Sequence, residues 1–394
     1  MNTARLVVGL MLLGFVVGCT QCKPAVTEPH VPEIRFASDK TAFESELNAV
    51  FEFEVKLDAA TEKTVTVNYE TEDITAVSGE DYTAVDGTLT FAPGDVSKII
   101  EVPIVVDEFL ESDDQFMVKL STPINSYLKG NIQEAIGTII NDDTNLDIGD
   151  NGYVSADSYT GMNMVWSDEF DGSEIDLTNW TYDVGANGWG NQELQNYTTS
   201  SENSYIQDGK LVIMAKDDGT QYTSARLKSI DLQEHQFGRI DVRAKLPVDQ
   251  GLWPAIWALG ANYSEIGWPA CGEIDIMELV GSNPRRIHGT IHWGNNFQQH
   301  QSDGQGVSID FPDTFADEYH VFSIEWQNNS IKWLLDDAEY HSIDNTTTSG
   351  QNYPFNEPFF FIMNVAVGGQ WPGDPDDTTT FPEFMAVDYI RVFQ

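Results

Sequence analysis

Positive charge is scarce in this chain: 20 Lys and Arg stand against 63 Asp and Glu in 394 residues, a formal net charge of −43. Phosphate backbones are held by Lys and Arg clusters, so nucleic acid is excluded as a partner, and sulfated glycans are disfavoured on the same ground. A neutral polymer meets no such barrier. Cysteine is scarce too, with 3 in all. Cys19 and Cys22 lie near the start and Cys271 far along the chain, so no disulfide framework staples the fold and stability must come from cores. Also missing is any amphipathic helix of three turns. At 394 residues the length suits two cores plus a leader.

The leader has one early cation, Arg5, and an apolar run from Leu6 to Val17 that is too short to span a bilayer. It reads as the core of a signal peptide over residues 1–18. Val16-Val17-Gly18-Cys19 resembles a bacterial lipobox, which implies cleavage before Cys19 and lipid on that residue; the alternative is an ordinary signal peptide with a chance cysteine. Thr20 follows where an aspartate would favour the inner membrane, so the resemblance implies a lipid-anchored envelope protein on the outer membrane, at its periplasmic face or on the cell surface. Residues 19–32, with Pro24, Pro29 and Pro32, read as a tether.

Residues 33–143 alternate apolar and polar positions, as in Phe51-Phe53-Val55-Leu57, Val65-Val67-Tyr69 and Phe116-Val118-Leu120. Gly, Asp and Pro turns separate these runs, the pattern of a β-sandwich. Gly79-Glu80-Asp81-Tyr82, the run from Gly87 to Asp95, the acidic stretch from Asp107 to Phe116 and the closing run from Gly137 to Asp143 resemble a Calx-beta domain, an Ig-like sandwich. That resemblance implies calcium held by acidic loops, and the positions carried over are Glu44, Asp81, Asp107, Glu111 and Asp143; hard Ca²⁺ takes six to eight oxygens. Asp114 stands where the family usually has Glu. The alternative is a solvated acidic face on a spacer.

Residues 144–162, rich in Asp, Gly, Ser and Asn, read as a linker, and residues 163–394 as a second all-β sandwich. Ile240-Val242-Ala244-Leu246 and His320-Phe322-Ile324-Trp326 show its period of two. Its most informative segment is Glu273-Ile274-Asp275-Ile276-Met277-Glu278. Three like charges among core aliphatics are unfavourable as a purely structural choice, so they point to chemistry. On a regular strand Glu273 and Asp275 share a face and Glu278 points away. A β-bulge near Ile276-Met277 returns Glu278 to that face. Four strand steps separate the two Glu backbones by about 13 Å, and side chains leaning together can approach the ~5–5.5 Å of retaining glycosidases, although an inverting separation stays open.

This segment resembles the active-site motif of glycoside hydrolase family 16 in its bulged, laminarinase-like form, within a jelly-roll sandwich. The likeness runs from about Val165 to Phe393 and takes in Trp253-Pro254-Ala255-Ile256-Trp257 and Trp268-Pro269-Ala270-Cys271. It implies Glu273 as nucleophile, Glu278 as acid/base and Asp275 as the group between them that keeps their protonation unequal. Trp189, Trp253, Trp257 and Trp371 become candidate sugar platforms, since aromatic rings stack on apolar sugar faces; some are core instead. Asn191, Glu193 and Asn364 become polar sugar contacts, with buried or loop-capping roles as the alternative. His288 and His292 flank a strand-like segment, too far apart to share one zinc ion, and His292 is expected near Glu278. The resemblance also implies a structural calcium away from the site, at backbone oxygens near Glu169 and Gly209 and the Asp388 side chain; no cofactor serves catalysis. The expected activity is endo-hydrolysis of β-1,3-glucan, with some tolerance of mixed β-1,3/1,4 linkages, by a monomeric catalytic unit. A lichenase, agarase or transglycosylase specificity and a non-catalytic, calcium-dependent glycan-binding lipoprotein are the rival readings.

Overall fold

The computed structural model describes residues 30–46, 50–107, 109–110, 113–130, 133–143, 145–348 and 352–394. The expected leader, Cys19, most of the tether and Glu111 lie outside the described residues. The chain divides into two compact units, Met1–Asp147 and Ile148–Gln394.

The first unit is a two-sheet sandwich. One sheet orders its strands Ser97–Pro103, Val50–Leu57, Glu33–Phe36 and Tyr127–Leu128; the other runs Lys40–Phe43, Glu134–Ile140, Asp114–Ile124, Val65–Asp73 and Asp86–Phe91. Alternation decides the faces: Phe51, Phe53, Val55 and Leu57 are buried while Glu52 between them is exposed. Phe53, Phe51 and Tyr82 gather around Phe116 with ring centroids 5.9, 5.5 and 4.6 Å away. Each such side chain contributes about 1.5–3 kcal/mol by leaving water.

The second unit is also a two-sheet sandwich, and its large shared core includes Ile240, Val242, Ile274, Ile276, Met277, Ile324, Trp333 and Val365. The sheet that positions the site runs Thr181–Tyr182, Arg226–Lys228, Phe359–Val367, Leu252–Gly260, Glu273–Leu279, Arg286–Trp293 and Gln301–Ser308. Phe359–Val367 is buried at all nine positions, as befits a strand covered on both sides. Among the described residues the only α-helix is Tyr263–Ile266, in line with the missing helical periodicity.

One expectation is corrected here. Residues from Ile148 onward, read as linker, dock on this unit. Arg243 donates from Nε to the Tyr153 carbonyl (2.7 Å) and from Nη2 to the Asp150 carbonyl (2.8 Å), and the Tyr389 hydroxyl accepts from the Ser155 backbone N–H (2.9 Å). Polar, glycine-rich sequence reads as linker because it offers no apolar period; a buried arginine holds it through carbonyls, which any sequence supplies.

Candidate active site

Glu273–Leu279 pairs with strands on both sides, and both ladders slip at the same place. Against Arg286–Trp293, Glu273 faces His292, Asp275 faces Thr290 and Glu278 faces His288, with the shift between Asp275 and Glu278. Against Leu252–Gly260, Asp275 faces Trp257 and Met277 faces Ile256. Ile276 is thus the extra residue, and both Ile276 and Met277 sink into the core. That is the expected bulge, and it brings Glu273, Asp275 and Glu278 to one face.

Burial then sets their charge states. Asp275 is 3% and Glu278 9% exposed. Burial pushes the Glu273 carboxyl up to about 7, Asp275 adds to the rise, and the positive potential of His292 and Arg226 opposes it. Burial lifts Asp275 to about 8. Glu278 is raised well above its ordinary value, by burial first and by Asp275 next, while His292 and the Trp253 N–H pull the other way. Three adjacent buried carboxyls cannot all ionise near neutral pH. His292 acts on both glutamates, and the Arg226 guanidinium acts further on Glu273, so Glu273 is the group best able to give up its proton while Glu278 keeps one.

Aromatic side chains line the face in two groups. Beside Glu278, the Trp253 indole N–H donates to Oε1 (3.2 Å), and Trp371 meets Trp253 edge-on with centroids 5.3 Å apart. Opposite Asp275, Trp257 donates to Asn364 Oδ1 (2.9 Å), and the Arg226 guanidinium lies against both the Trp257 and Trp189 rings at 4.7 and 4.9 Å. Asn364 is buried, and its Nδ2 donates to the Tyr197 hydroxyl (3.1 Å); both ends of its amide are engaged, so it positions Trp257. Glu193 accepts from Asn191 Nδ2 (3.1 Å) and Gln195 Nε2 (2.7 Å), which leaves exposed Asn191 as the more open polar group of that loop.

His292 lies within electrostatic reach of Glu278 and stands closer to two other carboxyls. It stands opposite Glu273, with Nε2 3.8 Å from Glu273 Oε1 and 3.4 Å from Asp275 Oδ2, and His288 is the residue opposite Glu278. The one-residue shift of the ladder falls after Asp275, so it sets His288 against Glu278 and leaves His292 against Glu273, a register that sequence separation alone does not carry. Four further side chains escaped the sequence reading: Arg226, His288 as a site residue, His300, whose Nε2 lies 2.8 Å from His292 Nδ1, and Trp268, whose ring packs at a tilt against His300 with centroids 4.6 Å apart. Trp268 had a signal in its place just before the catalytic strand; Arg226 and His300 sit on a three-residue strand and a loop with no motif.

With this geometry in place, the comparisons with known proteins are decisive. The model of the glycosyl hydrolases family 16 matches residues 191–391, just over half of the chain, and that of the Calx-beta domain matches residues 28–143. The chain belongs to glycosyl hydrolase family 16. It is similar to a beta-glucanase of Rhodothermus marinus, 43% identical over 59% of this chain and 85% of the relative. It also resembles a glucan endo-1,3-beta-glucosidase A1 of Niallia circulans, 35% identical over 73% of this chain and 47% of that longer protein, about half its length. Among solved structures, the laminarinase catalytic domain of Thermotoga maritima aligns with TM-score 0.55 and 42% identity, over 59% of this chain and 98% of that domain. The second unit is accordingly the family 16 jelly roll and the chain a glycoside hydrolase.

The candidate calcium positions divide. In the Calx-beta unit, Glu44, Asp107 and Asp143 bring carboxylate oxygens within 4.8 Å of one another, and Asp81 and Asp114 line the same pocket. Glu44 is buried and its carboxyl is raised by that burial, with Asp107, Asp143 and Asp142 adding to the rise and the Asp107 N–H opposing it. Hard oxygen donors crowded this way fit Ca²⁺. In the family 16 unit, Asp388 faces cations of the protein itself: Oδ2 accepts from Arg243 Nη1 (2.7 Å) and Oδ1 lies 3.7 Å from Lys210 Nζ. The Glu169 carboxylate pairs with Arg391 (2.7 Å), and Gly209 takes a left-handed turn with φ 71°. Asp388 therefore does not offer the free carboxylate expected of it.

Proposed function

We propose that this family 16 member is a retaining endo-hydrolase of β-1,3-glucan, tolerant of some mixed β-1,3/1,4 linkage and acting as a monomer. The observation that carries the reading is the double ladder slip at Ile276, which sets Glu273 and Glu278 on one face around Asp275. Glu278, kept protonated by burial, gives its proton to the leaving glycosidic oxygen as the Glu273 carboxylate attacks the anomeric carbon and forms a glycosyl-enzyme. Glu278, now ionised, takes a proton from water, whose oxygen displaces Glu273. Asp275 holds the charge distribution unequal between them, and Trp253, Trp257, Trp189 and Trp371 offer ring faces to a neutral sugar chain. The similarity to a β-glucanase and a laminarinase domain supports this substrate class.

The test is product release from laminarin, lichenan and agarose by the chain without residues 1–22, beside Glu273→Ser and Glu278→Ala. Oligosaccharides from laminarin, first seen as the β-anomer by NMR and abolished in both variants, are expected. Release from agarose alone, or an inverted anomer, would overturn the substrate or the mechanism. Calcium at Glu44, Asp107 and Asp143 is part of the same proposal: an ion that binds only the folded unit stabilises it. Chelation is expected to lower the melting temperature of the parent and leave Glu44→Gln unchanged. The lipobox further supports lipid on Cys19 and envelope display; Cys19→Ala is expected to move the enzyme from the membrane fraction to the soluble one.

A further inference from the structure

We infer that Glu273, Asp275 and His292 also form a binding site for a divalent transition ion of the zinc class, and that this ion and a sugar chain exclude each other. The three side chains bring one donor atom each within 4.8 Å of the others. His292 Nε2 is 3.4 Å from Asp275 Oδ2 and 3.8 Å from Glu273 Oε1. A tetrahedral ion with bonds of ~2.0–2.1 Å holds its ligands roughly 3.3 Å apart, so small side-chain rotations close the set.

Two independent features prepare these donors for a cation. Asp275 Oδ2 is a buried carboxyl oxygen with no hydrogen-bond partner, on a residue only 3% exposed; a bound cation would supply the partner that a buried polar atom requires. His292, for its part, is oriented through its other nitrogen: Nδ1 lies 2.8 Å from His300 Nε2, and the His300 ring packs at a tilt of 43° against Trp268 with centroids 4.6 Å apart. Holding one ring nitrogen so that the other faces the ligand is how metal-binding histidines are positioned. One imidazole and two carboxylates with an open fourth position suit Zn²⁺; Ca²⁺ and Mg²⁺ want more oxygens and no imidazole. The ion occupies the Glu273 oxygen that would attack the sugar, so binding and catalysis compete. The inference rests on the geometry of these side chains and stands whatever the polymer is.

The experiment titrates Zn²⁺ by calorimetry, and Co²⁺ by its visible absorption, into the chain without residues 1–22 in calcium-saturated buffer, so that the acidic pocket of the first unit is already filled. His292→Gln, Glu273→Gln and His300→Phe are compared, each checked for a parental melting curve. The expected result is a site lost in the two ligand variants and weakened roughly 10–100-fold in His300→Phe, with Zn²⁺ raising the apparent KM of the parent for laminarin and leaving kcat unchanged. No binding to the parent, equal binding to a folded ligand variant, or a fall in kcat at constant KM would overturn it. If laminarin is not hydrolysed, the calorimetric and spectroscopic arms decide alone.

Discussion

Replacing Trp253 with Phe keeps a smaller aromatic face at the site and removes the indole N–H that donates to Glu278 Oε1 at 3.2 Å. That hydrogen bond favours the ionised carboxylate and so holds the Glu278 proton less tightly than burial alone would. A bond of this length to a charged group lies at the weak end of the usual range, about 1.5 kcal/mol, which corresponds to about one pH unit at 1.36 kcal/mol per unit. Because Glu278 must be protonated to expel the leaving group, its ionisation forms the alkaline limb of the kcat/KM profile. The limb is therefore expected to move upward by about one unit in Trp253→Phe. Initial rates on laminarin across the pH range measure this directly. An unmoved limb, or one displaced downward, would refute the assignment of Glu278 as the acid or of Trp253 as its donor.

Arg226→Met keeps the apolar stem against Trp189 and Trp257 and removes the charge that pulls the Glu273 carboxyl down. Since Glu273 must be ionised to attack, the acid limb of kcat/KM is expected to rise, and a pH-rate profile checks it. Gly289→Ala places a Cβ 2.4 Å from Trp333 Cδ1 and 2.6 Å from Tyr340 Oη; overpacking of this kind costs about 1–3 kcal/mol, or a fall in melting temperature of about 2–4 °C per kcal/mol, read by thermal denaturation. Ile276→Asp buries a charge in the core beneath the bulge and is expected to abolish soluble folded enzyme; a variant with parental melting and activity would remove the structural role given to that residue.

Much of this protein is a one-dimensional matter. Phe51, Phe53, Val55 and Leu57 go inward in the structure because a strand has a period of two and water rejects apolar surface, and neither fact needs a tertiary contact. The bulge is of the same kind: five positions from Glu273 to Glu278 cannot share a face on a regular strand, and core aliphatics at both Ile276 and Met277 leave one way to absorb the extra residue. The carboxylate set and the two sandwiches follow from such local rules.

Partner choice across strands does not. His292 faces Glu273 through the register of the two strands and the bulge sets His288, not Ile287, against Glu278, Asn364 engages both ends of its amide with Trp257 and Tyr197, and Asp388 meets Arg243 and Lys210. Arg226 lies more than forty positions before the catalytic strand and reaches it only because Arg226–Lys228 and Glu273–Leu279 share one sheet. The sequence by itself determined which residues turn inward, where the strand had to bulge and which carboxylates act together. Only the tertiary structure decided which cation, indole or histidine stands against each carboxylate, because register between strands distant in sequence is set by the packing of the whole sheet.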